Sequence, residues 1–242
     1  MDSITINQRE VPFVMRRSLK ARSLRLQIVL DGPKIILTAP RFAMNFEVTR
    51  FLKNRLPWIE KQLGKIEKQA KLRPAPKYVS GDIYYYFGEQ VTLILEPSDK
   101  KRPEIKIRGD KMKISVYKNA TRSEGIKIIK QAIEKFYKKK AEEVVHDRLE
   151  HFNEHYGFKY KRVTMRNQKS RWGSCSRDKN LNFNWRLIMA PIEVIDYVVV
   201  HEMCHLEQMN HSKNFWNLVA ETVPDYKVFR KWLRENQYLL KI

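Results

Sequence analysis

Apolar positions recur with two different periods along this chain, and the changes between them outline its organisation. Val11 to Arg17, Leu24 to Leu30 and Lys34 to Ala39 are short β-rich runs, the last two separated by Asp31-Gly32-Pro33. Strands joined by a turn of that composition predict a small antiparallel unit. From Asn45, a residue suited to cap a helix, Val48, Phe51 and Leu52 follow helical spacing, and Pro57 then kinks the helix or opens a second one through Trp58, Ile59 and Leu63. The Lys-rich, Pro-punctuated stretch Lys68 to Lys77 reads as a linker or exposed loop.

Two hairpins come next: Tyr84 to Phe87 with Val91 to Leu95 across Gly88-Glu89, and Glu104 to Arg108 with Met112 to Tyr117 across Gly109-Asp110. The period then lengthens. Ile126, Ile129, Ala132, Ile133, Phe136, Val144, Val145, Leu149 and Phe152 describe one amphipathic helix from Ser123 to about Tyr156, ended near Gly157. Lys161 to Asn167, Arg171 to Ser176 and Leu181 to Leu187 are three short extended segments, with Asp178-Lys179-Asn180 as a turn. Pro191 and Glu193 open a helix running to about Gln208, a second begins after Ser212, and a third spans about Tyr226 to Leu239. The expected class is α+β: a strand-rich amino-terminal part, 1–121, then a domain, 122–242, with a small antiparallel sheet and a long packing helix. No internal repeat or low-complexity tract is evident.

Composition narrows the partners. Of 242 residues 43% are hydrophobic, enough for a sizeable core. Only Cys175 and Cys204 are cysteines, and Met1 to Glu10 has no charged-then-apolar leader, so a reducing cytoplasm is expected rather than secretion. The apolar stretch around Val194 to Val200 is interrupted by Asp196 and falls far short of the roughly 20 residues of a spanning helix. The net charge is +21, and residues 1–121 hold 25 basic against 12 acidic side chains. Such a surplus serves either as a solvated basic surface or as a contact for DNA, RNA or another polyanion, with Arg16, Arg17, Lys20, Arg22 and Arg25 as the candidate footprint.

The chemistry concentrates late in the chain, where three of the six histidines fall within eleven residues. His201 and His205, four apart on a helix, lie on one face with Cβ atoms about 6 Å apart, so one metal ion can take both. Glu202 lies about 100° round the helix, where it can act on a water without being a ligand. Val194, Val198, His201 and His205 follow one stripe, which turns the histidines inward. A third ligand must come from elsewhere. His211 is the first candidate, held on a corner between Asn210, which can end the helix in a left-handed conformation, and Ser212, which can cap the next helix. Glu221 on the following helix is the alternative. His146, His151 and His155 read as a solvated face of the long helix.

These residues carry a resemblance. Arg171-Trp172-Gly173-Ser174-Cys175-Ser176, Asn184, Pro191, the run Tyr197 to Leu206, Asn210-His211-Ser212 and Phe215-Trp216 resemble the YgjP-like zinc metallopeptidases, relatives of the SprT-like zincins. The resemblance implies a zincin-like catalytic domain with an HExxH active-site helix, zinc as cofactor, His201, His205 and His211 as ligands, Glu202 as the catalytic carboxylate, and a protein or peptide substrate. Gly173 indicates close backbone approach or a bulge, and its segment is either a substrate-pairing strand or a core strand packing Trp172. Cys175 reads as a small buried side chain, with an inhibitory or accessory thiolate at the metal as the alternative. Tyr197, Tyr226 and Arg171 are candidates for stabilising an oxyanion. Two other classes remain: a metal-dependent ribonuclease, since three histidines in H-x3-H-x5-H resemble rRNA-maturation nucleases, and a nucleic-acid-binding protein with a secondary zinc site. Glu202, directly after the first histidine, argues against the nuclease.

Overall fold

Strand pairing in the computed structural model, which describes residues 2–6, 9–29, 34–168, 171–240 and 242, follows the apolar content of the strands. The chain divides into two compact units, Met1–Pro74 and Ala75–Ile242. In the first, β1 (Asp2–Ile6), β2 (Arg9–Ser18), β3 (Arg25–Val29) and β4 (Lys34–Pro40) form one sheet in the order β1-β2-β4-β3. The sheet is mixed rather than wholly antiparallel, because β2 and β4 pair in parallel. The physical reason is burial: β4 is the most continuously apolar strand and takes an inner position, where Ile35, Leu37 and Ala39 are fully buried. The turn Asp31-Gly32-Pro33 lies outside the described residues.

One helix, α1 (Asn45–Leu72), closes this unit and buries Val48, Leu52 and Ile59. Its N-cap is Met44, not Asn45, and the Met44 backbone N–H donates to the Glu47 carboxylate at 2.8 Å. Pro57 neither breaks nor restarts the helix; it stands on the exposed side, where the lost backbone hydrogen bond leaves a carbonyl open to water. Lys68 to Leu72 are therefore helical, and only the remainder of the expected linker connects the units.

The second unit starts with the same topology. β5 (Ile83–Tyr86), β6 (Glu89–Ser98), β7 (Ile105–Arg108) and β8 (Lys111–Tyr117) form a sheet in the order β5-β6-β8-β7, with both expected hairpins and a parallel β6/β8 pair between them. A long helix follows, α2 (Arg122–Tyr156). The chain thus repeats four strands and a helix, a repetition invisible as sequence self-similarity because topology constrains burial and not residue identity. Helix α2 begins in a reciprocal cap, Thr121 with Glu124, and ends at Gly157 in the left-handed conformation, φ 62°. Its buried stripe Ile129, Ile133, Tyr137, Ala141, Val145, Leu149 recurs every fourth residue.

The core of this unit joins Leu93 and Ile114 of the sheet to that stripe and to the apolar segments after residue 180. Because they share one core, the sheet of residues 83–117 belongs with the carboxy-terminal part, and the compact units part at 74/75 rather than at 121/122. A second small sheet, β9 (Arg162–Arg166), β10 (Gly173–Cys175) and β11 (Asn180–Asn184), has the order β10-β11-β9. It too is mixed: β10/β11 is antiparallel and β11/β9 parallel. Here again the most buried strand is central, with Leu181 and Phe183 fully covered.

A short 3-10 helix, Trp185–Met189, replaces the end of the third expected extended segment. Helices α3 (Ile192–Cys204), α4 (Lys213–Thr222) and α5 (Tyr226–Asn236) complete the fold. Nine of the 13 residues of helix α3 are buried, and its half-buried Asp196 takes two bonds from Arg148 of α2, at 2.5 and 2.9 Å. No helix among the described residues is long and apolar enough to cross a membrane.

Candidate metal centre

Helix α3 ends at Cys204, earlier than the pattern predicts, with His205 as its C-cap still in helical geometry, φ −69° and ψ −13°. The four-residue relation of the two histidines therefore survives, and their rings lie 4.9 Å apart. Asn210 is not in the left-handed region among the described residues. Its side-chain oxygen instead accepts the Ser212 backbone N–H at 3.2 Å, and Ser212 caps α4 by accepting from Phe215. Held between these two bonds, His211 turns back until its Nε2 is 3.1 Å from His201 Nε2.

One ligand atom from each of His201, His205 and His211 lies within 4.8 Å of the other two. Two nitrogens bound at 2.0–2.1 Å to a tetrahedral ion stand about 3.3 Å apart, near the His201–His211 separation. His205 Nδ1 lies 2.9 Å from the Gln208 carbonyl, so Nδ1–H donates there and Nε2 is free for an ion. The residues present fit a metal. Glu221 does not join them: it pairs with His155 at 3.3 Å, both about half exposed.

Phe215, fully buried, forms the base of the cluster, its ring 4.5 to 4.9 Å from each of the three imidazoles. Trp216 stacks on His211 at 5.5 Å and on Tyr226 at 4.9 Å, and the Arg230 guanidinium lies 5.2 Å over Trp216. Phe215 and Trp216 are legible in the sequence only through the family motif, and nothing in the spacing of Arg230 distinguishes it from other surface cations. Burial, with the neighbouring imidazoles His205 and His211 and the Arg230 charge, lowers the His201 pKa to about 3. His211 is lowered as well, first by burial.

Glu202 is 4% exposed, and its Oε2 is buried with no hydrogen-bond partner. Burial raises its pKa to about 8, against the lowering influence of the Arg171 charge and the Cys175 backbone N–H. A cleft of about 320 Å³ opens on this carboxylate and the three histidines, lined also by Arg171, Gly173, Ser174, Cys175 and Met209. Strand β10 forms one wall; it pairs with β11 on one side and ends its sheet on the other. Of the three oxyanion candidates only Arg171 lines the cleft. Tyr197 is buried under His201 with its pKa pushed up to about 12 by burial, and Tyr226 lies behind Trp216. Burial also raises the Cys175 thiol to about 11, so it stays protonated at neutral pH.

Among curated proteins none matches the chain. A solved structure, the metallopeptidase zymogen of Pyrococcus abyssi abylysin, is 24% identical, covering 38% of this chain and 95% of that one with a TM-score of 0.36. The YgjP-like family, described as a metallopeptidase domain, matches residues 22–236, a span that includes all three histidines, Glu202 and most of both units, and the chain belongs to that family.

Proposed function

We propose that this metallopeptidase is a zinc enzyme that hydrolyses peptide bonds with Glu202 as general base. The observation that carries the reading is the Glu202 Oε2, buried and unpartnered beside three converging imidazoles. An orphaned carboxylate oxygen is costly to bury, and it stands where a reacting water would be approached. Three imidazoles with an open position suit zinc in its catalytic mode. A bound zinc would supply Lewis acidity to the scissile carbonyl and to the water.

The chain's own groups do the rest. Oε2 of Glu202 takes the proton of the attacking water and returns it to the leaving nitrogen, a task suited to a carboxyl whose pKa burial has brought near neutrality. The free edge of β10 offers backbone groups to an extended peptide. Arg171 places a positive charge on the cleft wall, where negative charge develops on the carbonyl oxygen. The substrate class is protein or peptide, and the setting is the reducing cytoplasm that the cysteine usage predicts.

The test is Glu202→Gln. The variant keeps bound zinc by elemental analysis and loses casein hydrolysis; full turnover in that variant would overturn the assignment. Structured RNA assayed at the same zinc concentration, and left intact, separates a peptidase from a nuclease.

A further inference from the structure

The first unit holds a surface that its fold does not demand. Strands β2 and β4 run parallel, so the turn after Ser18 and the loop after Pro40 leave the sheet side by side. Arg17 locks them together, donating to the Arg41 and Ala43 carbonyls and to Asn45 Oδ1, which takes it out of the candidate footprint. At this end stand Leu19, Phe42, Met44 and Phe46, exposed by 74, 87, 62 and 64%. The matching end of the second sheet, after Ser98 and Tyr117, carries no exposed large hydrophobic side chain among the described residues. Two sheets of one topology thus differ here by four uncovered apolar groups.

The outward face of the same sheet is basic. Ile35, Leu37 and Ala39 point into the core, so Thr38 points away from it, and its register partners are Arg16 on one side and Arg25 on the other. The two exposed arginines flank Thr38 in one row across the sheet. Exposed Lys20, Arg22 and Arg41 surround the apolar end. The acidic group there, Glu47, is already bonded to the Met44 backbone. Residues 1–74 contain 16 Lys and Arg against 6 Asp and Glu.

We infer that this surface binds single-stranded nucleic acid. A row of guanidinium groups beside a hydroxyl on an open sheet holds phosphates. Uncovered rings offer bases a stacking face that a duplex, with its bases already stacked, cannot use. The inference stands apart from the peptidase chemistry, since none of these residues belongs to the metal centre.

Fluorescence anisotropy on the full zinc-loaded chain tests it, using labelled dT20, U20 and a 20-base-pair duplex. Single strands bind more tightly than the duplex, and the two oligomers separate a DNA from an RNA ligand. Phe42→Ala with Phe46→Ala weakens single-strand binding about tenfold or more and leaves the duplex unaffected. Arg16→Glu with Arg25→Glu lowers the salt slope by about 0.7 for each phosphate no longer neutralised. All four positions are exposed, so casein hydrolysis is unchanged in both variants, which separates this result from any failure of the peptidase reading. Equal single-strand binding by the aromatic variant and the wild type overturns the inference, as does preference for the duplex. So does binding to vesicles of phosphatidylserine and phosphatidylcholine that depends on Phe42 and Phe46 while oligonucleotide binding does not.

Discussion

Gly173 and Glu202 interlock: a Cβ added at 173 would lie 2.5 Å from Glu202 Oε1 and Cγ and 2.7 Å from its Cδ. The wall strand of the cleft can pass over the Glu202 carboxylate only because residue 173 has no side chain. Gly173→Ala must therefore push the carboxylate or the strand aside. A displacement near 1 Å at a reacting group costs about 100-fold in turnover, and forced packing costs roughly 1–3 kcal/mol of stability. Casein hydrolysis should fall by that order while zinc content is kept. Unimpaired hydrolysis by the alanine variant would show that the close approach is not needed.

His211 and Glu221 make opposite predictions about metal. His211 converges on His201 within 3.1 Å, whereas Glu221 is engaged with His155. His211→Ala should weaken zinc binding by more than the 10–100-fold typical of an outer partner, with Glu221→Ala close to wild type. A competition titration against a chelator measures both. Comparable losses in the two variants would return Glu221 to the ligand set.

The site was more legible than the sheets. His201, Glu202 and His205 follow from helical geometry, because three or four residues of regular helix fix their mutual placement. His211 rests more on the family motif, and its placement depends on an Asx bond from Asn210 that spacing does not encode. Strand positions were legible from apolar runs, but partner choice was not: β4 and β11 take inner places because of how much they bury against the rest of the fold. The repeated topology stayed hidden for the same reason. Its two copies share directions and order, while one end carries Phe42 and Phe46 and the other Lys118 and Asn119.

The tip of the β5/β6 hairpin docks on the segment that leads into α3. Phe87 and Gly88 donate backbone N–H groups to the Ile188 and Met189 carbonyls at 2.9 and 3.2 Å. Gly88 has φ 83°, and a Cβ there would meet Pro191 Cγ at 2.8 Å. Gly88→Ala combines backbone strain with a clash against a rigid ring, a cost of roughly 1–3 kcal/mol or more. Gly109→Ala, also at positive φ but with nothing within 4 Å of the added carbon, carries the backbone cost alone and should lose less. Urea unfolding of the two variants compares them, and equal losses would show that the contact with Pro191 is immaterial.

Burial acts with opposite sign on the neighbours His201 and Glu202, and both shifts contribute to the pH dependence of the metal-free protein. The Glu202 pKa rises from an ordinary 4.5 to about 8. Between those values the folded chain holds a proton that the unfolded chain has lost, so stability falls as pH rises through that window. The His201 pKa falls from an ordinary 6.5 to about 3. Between those values the unfolded chain holds the extra proton, so stability falls as pH drops. The two slopes oppose one another between 4.5 and 6.5, where a plateau results. Above it, up to about 8, the Glu202 slope is left uncompensated, and below it, down to about 3, the His201 slope is. Thermal melts in chelator across this range should show both declines. Glu202→Gln removes a titrating group without changing the shape of the site, so it should abolish the alkaline decline and keep the acid one. An alkaline decline that persists in that variant would assign it to another group.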